Sequence, residues 1–209
     1  MEYSQNTEPE IYSYEQYLAL EKKNEELRYE FYDGEIVAMA GAHIRHARIV
    51  TNTSNRIFDK LREGNCDVFA EAVKLEIPQT NHYLYPDVLV TCNPLDMQSR
   101  SGIRNPMLVV EVLSPSSIRR DKVKKLAQYL RLPSLKYYLI ISQEECRVEV
   151  YKRQGEKSWI YTIYDEMSED IYLPEWEITL QLKDIYRKVV FGVEKIEEEE
   201  GEYLFSSDY

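Results

Sequence analysis

Cysteine is scarce in this chain: Cys66, Cys92 and Cys146 are scattered and odd in number. Such usage argues against a disulfide framework or a zinc ribbon and predicts a reduced, cytoplasmic protein. Long apolar runs are also missing. None approaches the ~18 residues needed to span a bilayer, so no membrane partner is expected. The opening MEYSQNTEPE has no basic segment followed by an apolar one, and no secretory signal is read there. There is no Gly-rich phosphate loop and no serine or cysteine nucleophile signature, which argues against covalent hydrolysis. Zinc fingers, aromatic RNA-binding signatures and other base-reading motifs are absent, so no sequence preference is legible. No internal repeat or interdomain linker interrupts the chain.

What is present describes a globular protein. The 209 residues are 44% hydrophobic and 12% aromatic, enough for one substantial core. The net charge of −11 speaks against nucleic acid at first sight, but its distribution weakens that objection. Residues 1–30 carry eight acids and three bases, residues 194–209 seven acids and one base, and the stretch between is neutral. The expected organisation is an acidic arm over 1–12, a domain over 13–190 and a solvated acidic tail over 191–209.

SYEQYLALEKKNEE predicts a short helix with Tyr14, Tyr17, Leu18 and Glu21 at helical spacing, and Asp33-Gly34 predicts the turn of a hairpin. A second helix is expected from His43 to Leu61 and a strand from Val68 to Ile77. Strands YPDVLVTC and MLVVEVLS follow. A helix over SSIRRDKVKKLAQYLRLP is expected to bury Ile118, Val123, Leu126, Ala127 and Leu130, before a strand KYYLIIS. The hairpin RVEVYKRQ and SWIYTIYD and the segment LPEWEITLQLKDIY complete the chain. From His43 the order is helix, three strands, helix, strand. Short connections make the three strands an antiparallel meander, and the helix after them a right-handed crossover to the fourth.

Within PMLVVEVLSPSS, Glu111 shares a strand face with Met107, Val109 and Leu113. A buried, unpartnered carboxylate costs several kcal/mol, so a partner must stand beside it. In the meander, the start of YPDVLV lies beside the end of the Glu111 strand, which brings Asp87 and Glu111 together. Two close carboxylates repel, and Mg²⁺, an oxygen-seeking cation, removes the conflict. Lys125 lies about eight residues into the following helix, roughly 12 Å along its axis, and leans back toward that strand end. The plainer reading of Glu111 is a paired structural carboxylate.

YEFYDGEIVAMAG, His46, YPDVLV, PMLVVEVLSPSS and Asp121 followed by Lys125 and Tyr129 together resemble the Uma2 family, endonucleases of the PD-(D/E)xK superfamily. The resemblance spans about residues 14–186. It implies an α/β fold with a restriction-endonuclease-like core of a helix, a three-strand meander, a helix and a strand. N-terminal helix and hairpin and C-terminal strands are additions to that core. By position it implies Asp87 and Glu111 as ligands of Mg²⁺ or Mn²⁺, with Lys125 as the catalytic lysine, since Leu113 occupies the superfamily's usual lysine position. His46 matches the family's histidine, and Glu71 on the first strand is a further accessory candidate. The run RRDKVKK offers Arg119, Arg120, Lys122 and Lys124 to a phosphate backbone, or is an ordinary solvated face. The expected activity is metal-dependent hydrolysis of DNA phosphodiester bonds, in a homodimer by analogy with the superfamily. A non-catalytic DNA- or partner-binding module and a phosphoesterase with another substrate are the alternatives.

Overall fold

The computed structural model describes residues 11–24, 27–39, 43–71, 73–113 and 120–192. Most of the expected acidic arm and tail lies outside them, as do Ile118, Arg119 and the side chain of Arg120.

Helix α1 (Tyr14–Lys23) starts at a capping box in which the Ser13 hydroxyl accepts from the Gln16 N–H and the Gln16 side chain accepts from Ser13 N–H. Strands β1 (Tyr29–Tyr32) and β2 (Glu35–Ala38) turn at Asp33 and Gly34, both at positive φ, as a tight hairpin turn requires. Helix α2 (Ile44–Leu61) buries Ile49, Val50, Ile57 and Leu61 along one stripe. The expected single strand from Val68 to Ile77 is two strands, β3 (Asp67–Ala70) and β4 (Leu75–Ile77), which belong to different sheets. The break falls at Glu71, whose φ of 49° departs from extended geometry and turns the chain away. Strand β5 (His82–Leu84), not foreseen from the sequence, pairs with both β1 and β4. After it come β6 (Val88–Thr91), the short α3 (Pro94–Met97) and β7 (Pro106–Leu113).

The crossover is a π-helical turn, Arg120–Lys125, running into α4 (Leu126–Tyr129), then β8 (Tyr137–Ser142) parallel to β7. Its expected buried stripe is corrected. Val123 is 63% exposed and Ala127 is exposed, whereas Lys125 and Tyr129 are buried. The wide π turn rotates the side chains away from ordinary 3.6-residue spacing. Strands β9 (Val148–Arg153) and β10 (Trp159–Tyr164) form the expected hairpin, and β11 (Asp170–Leu173), β12 (Ile178–Gln181) and α5 (Leu182–Ile185) finish the fold.

The main sheet has the order β10-β9-β8-β7-β6-β3, and a smaller one the order β2-β1-β5-β4. Alternation along β7 divides the core. Leu108, Val110 and Val112 join Ile49, Ile57, Leu180 and Ile185 on one side. Val109 and Leu113 join Tyr129, Tyr138, Leu84 and Leu75 on the other. The sheet is therefore covered by α2 and the C-terminal elements on one face and by α4 and the small sheet on the other. Antiparallel β3–β6–β7 and parallel β7–β8 reproduce the expected meander and crossover.

The expectation of three free thiols is also corrected: Cys66 and Cys92 form a disulfide, and Cys146 is free. Asp67 faces Thr91 across the β3–β6 ladder, so the two cysteines are cross-strand neighbours one residue beyond it. Only the pairing of the strands makes them adjacent, which their separation in sequence conceals. No helix among the described residues is long and apolar enough to cross a membrane.

Candidate metal centre

Strand β6 starts immediately after Asp87, and the register Val88↔Val110 sets that start beside the end of β7. The Asp87 carboxylate accepts a hydrogen bond of 2.6 Å from the Val112 N–H, one residue past Glu111. The two acids of the sequence reading thus come from neighbouring strands at the same end of the sheet. Their side chains take different partners.

Asp87 Oδ2 lies 3.3 Å from His46 Nε2 in the first turn of α2, and His46 Nδ1 lies 3.8 Å from Glu71 Oε1. His46, Glu71 and Asp87 each offer a ligand atom within 4.8 Å of the others, a grouping among the described residues that does not include Glu111. Glu71 is held in place from two sides: its N–H donates to the Asp87 carbonyl at 2.9 Å, and its own carbonyl accepts from Arg28. Burial alone would lower the His46 pKa, but the hydrogen bond to Asp87 and the charges of Asp87 and Glu71 outweigh it and raise it.

Glu111 belongs to a buried network. Its Oε1 accepts from Lys125 Nζ at 3.1 Å and from the Tyr129 hydroxyl at 2.7 Å. The same ammonium lies 2.8 Å from Glu30 Oε1 on β1, and Glu30 also accepts from the Tyr85 N–H at 3.1 Å. Burial first, and then the Glu111 charge, push the Tyr129 pKa well above its ordinary value, so the phenol keeps its proton and donates. One turn of helix supplies two donors, Lys125 and Tyr129 at i and i+4, to the carboxylate near the end of β7.

Two lysines of the basic run are held in ion pairs. Lys122 pairs with Glu149 and Lys124 with Glu35, both at 2.6 Å. Leu113 is buried in the core, as its apolar side chain requires.

The donor set bears directly on a cation. The histidine nitrogen suits a transition metal, whereas the two carboxylates suit Mg²⁺ or Mn²⁺, and Mg²⁺ accepts one or two carboxylates with its remaining positions filled by water. His46 Nδ1 is buried and has no hydrogen-bond partner among the described residues. Glu71, with a side chain 42% exposed, opens the group to solvent. Those features fit a partly hydrated divalent ion.

The sequence profile of the Uma2 family, described as "Putative restriction endonuclease", matches residues 14–181. The chain belongs to the Uma2 family. Two "Uncharacterized" proteins of Synechocystis sp., slr1290 and sll1609, are each 34% identical to it. The first aligns over 177 residues, 85% of this chain and 92% of the relative, and the second over 149 residues, 70% and 84%. A crystal structure from Anabaena variabilis, described as "a putative nuclease belonging to DUF820", superposes with a TM-score of 0.64 at 19% identity, covering 76% of this chain and 89% of that one. The likeness shows the fold, a restriction-endonuclease-like core, and family and fold together are nuclease-like.

In this Uma2 protein Asp87, Glu111, Lys125, His46 and Glu71, the residues expected from the sequence, all fall at one end of the β3–β6–β7 ladder or on the helices facing it. Glu30 is absent from that expectation. The signal was present, because Glu30 stands between Tyr29 and Phe31 in a strand as Glu111 stands among valines. What it lacked was the partner, which lies 95 residues further along the chain at Lys125.

Proposed function

We propose that the protein is an endonuclease that hydrolyses DNA phosphodiester bonds with Mg²⁺ or Mn²⁺. Asp87 is the central ligand, with Glu111 from the neighbouring strand and with His46 and Glu71, which converge on it. The bound ion would polarise the phosphate and lower the pKa of a coordinated water. The side chains supply the rest. Asp87 and Glu71 concentrate negative charge at an open edge of the sheet. Lys125, fixed between Glu30 and Glu111, presents a positive charge that stabilises the charge building on the phosphate oxygens. The hydrogen bond from Val112 N–H to Asp87 sets the distance between cluster and network.

The observation that carries this reading is the convergence of His46, Glu71 and Asp87 within 4.8 Å, next to the strand end that bears Glu111. In the test, Mn²⁺ is titrated into the protein by calorimetry and cleavage of circular duplex DNA is followed with and without Mg²⁺. Asp87→Ala should remove both the heat and the cleavage, and Glu111→Ala should remove cleavage, while near-UV circular dichroism stays that of the parent. Cleavage by both variants at the parent rate contradicts the proposal. The ion pairs on Lys122 and Lys124 favour a second reading, a cation-binding module that does not cut; heat without cleavage by the parent protein would select it.

A further inference from the structure

The disulfide and the cation cluster occupy opposite ends of one two-strand ladder. Cys66 and Cys92 flank the Asp67↔Thr91 pair; Glu71 and Asp87 follow the Ala70↔Val88 pair at the far end. Five residue steps at ~3.3 Å each separate them, roughly 17 Å. The bonded cysteines are 26 residues apart in sequence, and the loop they close contains both Glu71 and Asp87. Strand β3 is the edge of the main sheet, with β6 as its neighbour there. Its last contact carries weight, because Glu71 sits at φ 49°, a conformation that a residue with a side chain keeps only when its surroundings over-determine it. Those surroundings are the hydrogen bonds to the Asp87 carbonyl and from Arg28. Both cysteines are half-buried at the rim of the core, within reach of a small reductant.

We propose that the Cys66–Cys92 disulfide is a redox clamp on the cation site, holding edge strand β3 to β6 so that Glu71 stays beside His46 and Asp87. The inference rests on the cation-site reading above. Opening the clamp is thiol–disulfide exchange: an external dithiol passes two electrons and two protons to the bond, Cys66 and Cys92 become thiols, and the external dithiol becomes a disulfide. With the clamp open, β3 frays from its edge and the Glu71 carboxylate is no longer held in position.

The experiment is Mn²⁺ calorimetry on the whole chain, oxidised and after reduction by dithiothreitol with anaerobic desalting, paired with amide hydrogen exchange along Asp67–Ala70. Reduction should raise the Mn²⁺ Kd about tenfold, the low end of what losing support around a ligand costs, and should speed exchange in β3. The Cys66→Ser/Cys92→Ser variant should match the reduced parent and ignore dithiol, whereas Cys146→Ser should respond as the parent does. Equal Mn²⁺ affinity in the two states overturns the clamp while leaving the cation site standing. No Mn²⁺ heat in either state overturns the cation site, and unchanged β3 exchange then overturns the clamp on its own.

Discussion

Glu111 lies near the C-terminal end of β7, with both Lys125 and Tyr129 donating to one of its oxygens, and Lys125 also reaches Glu30. Removing the ammonium leaves two buried carboxylates facing each other without it, whereas removing the phenol oxygen takes away one donor. Lys125→Met should therefore cost about 3–5 kcal/mol, the range for breaking a buried ion pair at one partner. Tyr129→Phe should cost about 1–3 kcal/mol, the range for leaving a buried acceptor short of a partner. Urea unfolding measures both, and a Lys125→Met protein as stable as the parent would refute the network. That Glu111 needed a partner was legible from its apolar surroundings. The sequence placed Lys125 within helical reach of that strand end, as a helper to a cation shared by Asp87 and Glu111; its direct pairing with Glu111, and with Glu30 on its other side, depends on contacts between elements far apart in the chain.

The crossover helix shows how an element can defeat a periodicity argument. Ordinary spacing put Val123 and Ala127 inward; the π turn puts Lys125 and Tyr129 there, because the carboxylate at the end of β7 takes polar donors in preference to methyl groups. Val123→Ser should accordingly change stability by less than about 0.5 kcal/mol, as an exposed substitution does, and a loss of core magnitude in thermal unfolding would restore the sequence reading. On β9, Glu149 accepts from Lys122, Tyr161 and Arg147. Burial works to raise its pKa, yet these three partners hold it below the ordinary 4.5. A depressed carboxylate pKa adds stability that is fully present above the unfolded value and is lost as pH falls through the folded one. Glu149→Gln should therefore be less stable than the parent at about pH 7, and the gap should close toward about pH 3, as paired urea titrations would show. A gap that stays constant with pH would mean that the charge on Glu149 contributes nothing.

Across the whole molecule, one six-stranded sheet separates two cores, and β8 runs through the middle of both. Leu139 is fully buried between α2 and the C-terminal strands on one side of it. Leu139→Ala should cost about 2–5 kcal/mol in chemical denaturation, and a smaller loss would mean that the layer collapses to fill the space. The sequence by itself determined the order of the core elements, the hairpin at Asp33-Gly34, the meander and crossover, and which acids and lysine gather at one end of the sheet, because hydrophobic period, turn chemistry and misplaced charges are local signals. The tertiary structure decided which residues meet. It split one expected strand between two sheets at Glu71, bonded Cys66 to Cys92, and gave Asp87 to His46 and Glu71 while tying Glu111 to Lys125. Those outcomes depend on strand register and on the closing of long loops, and no stretch of chain carries that information alone.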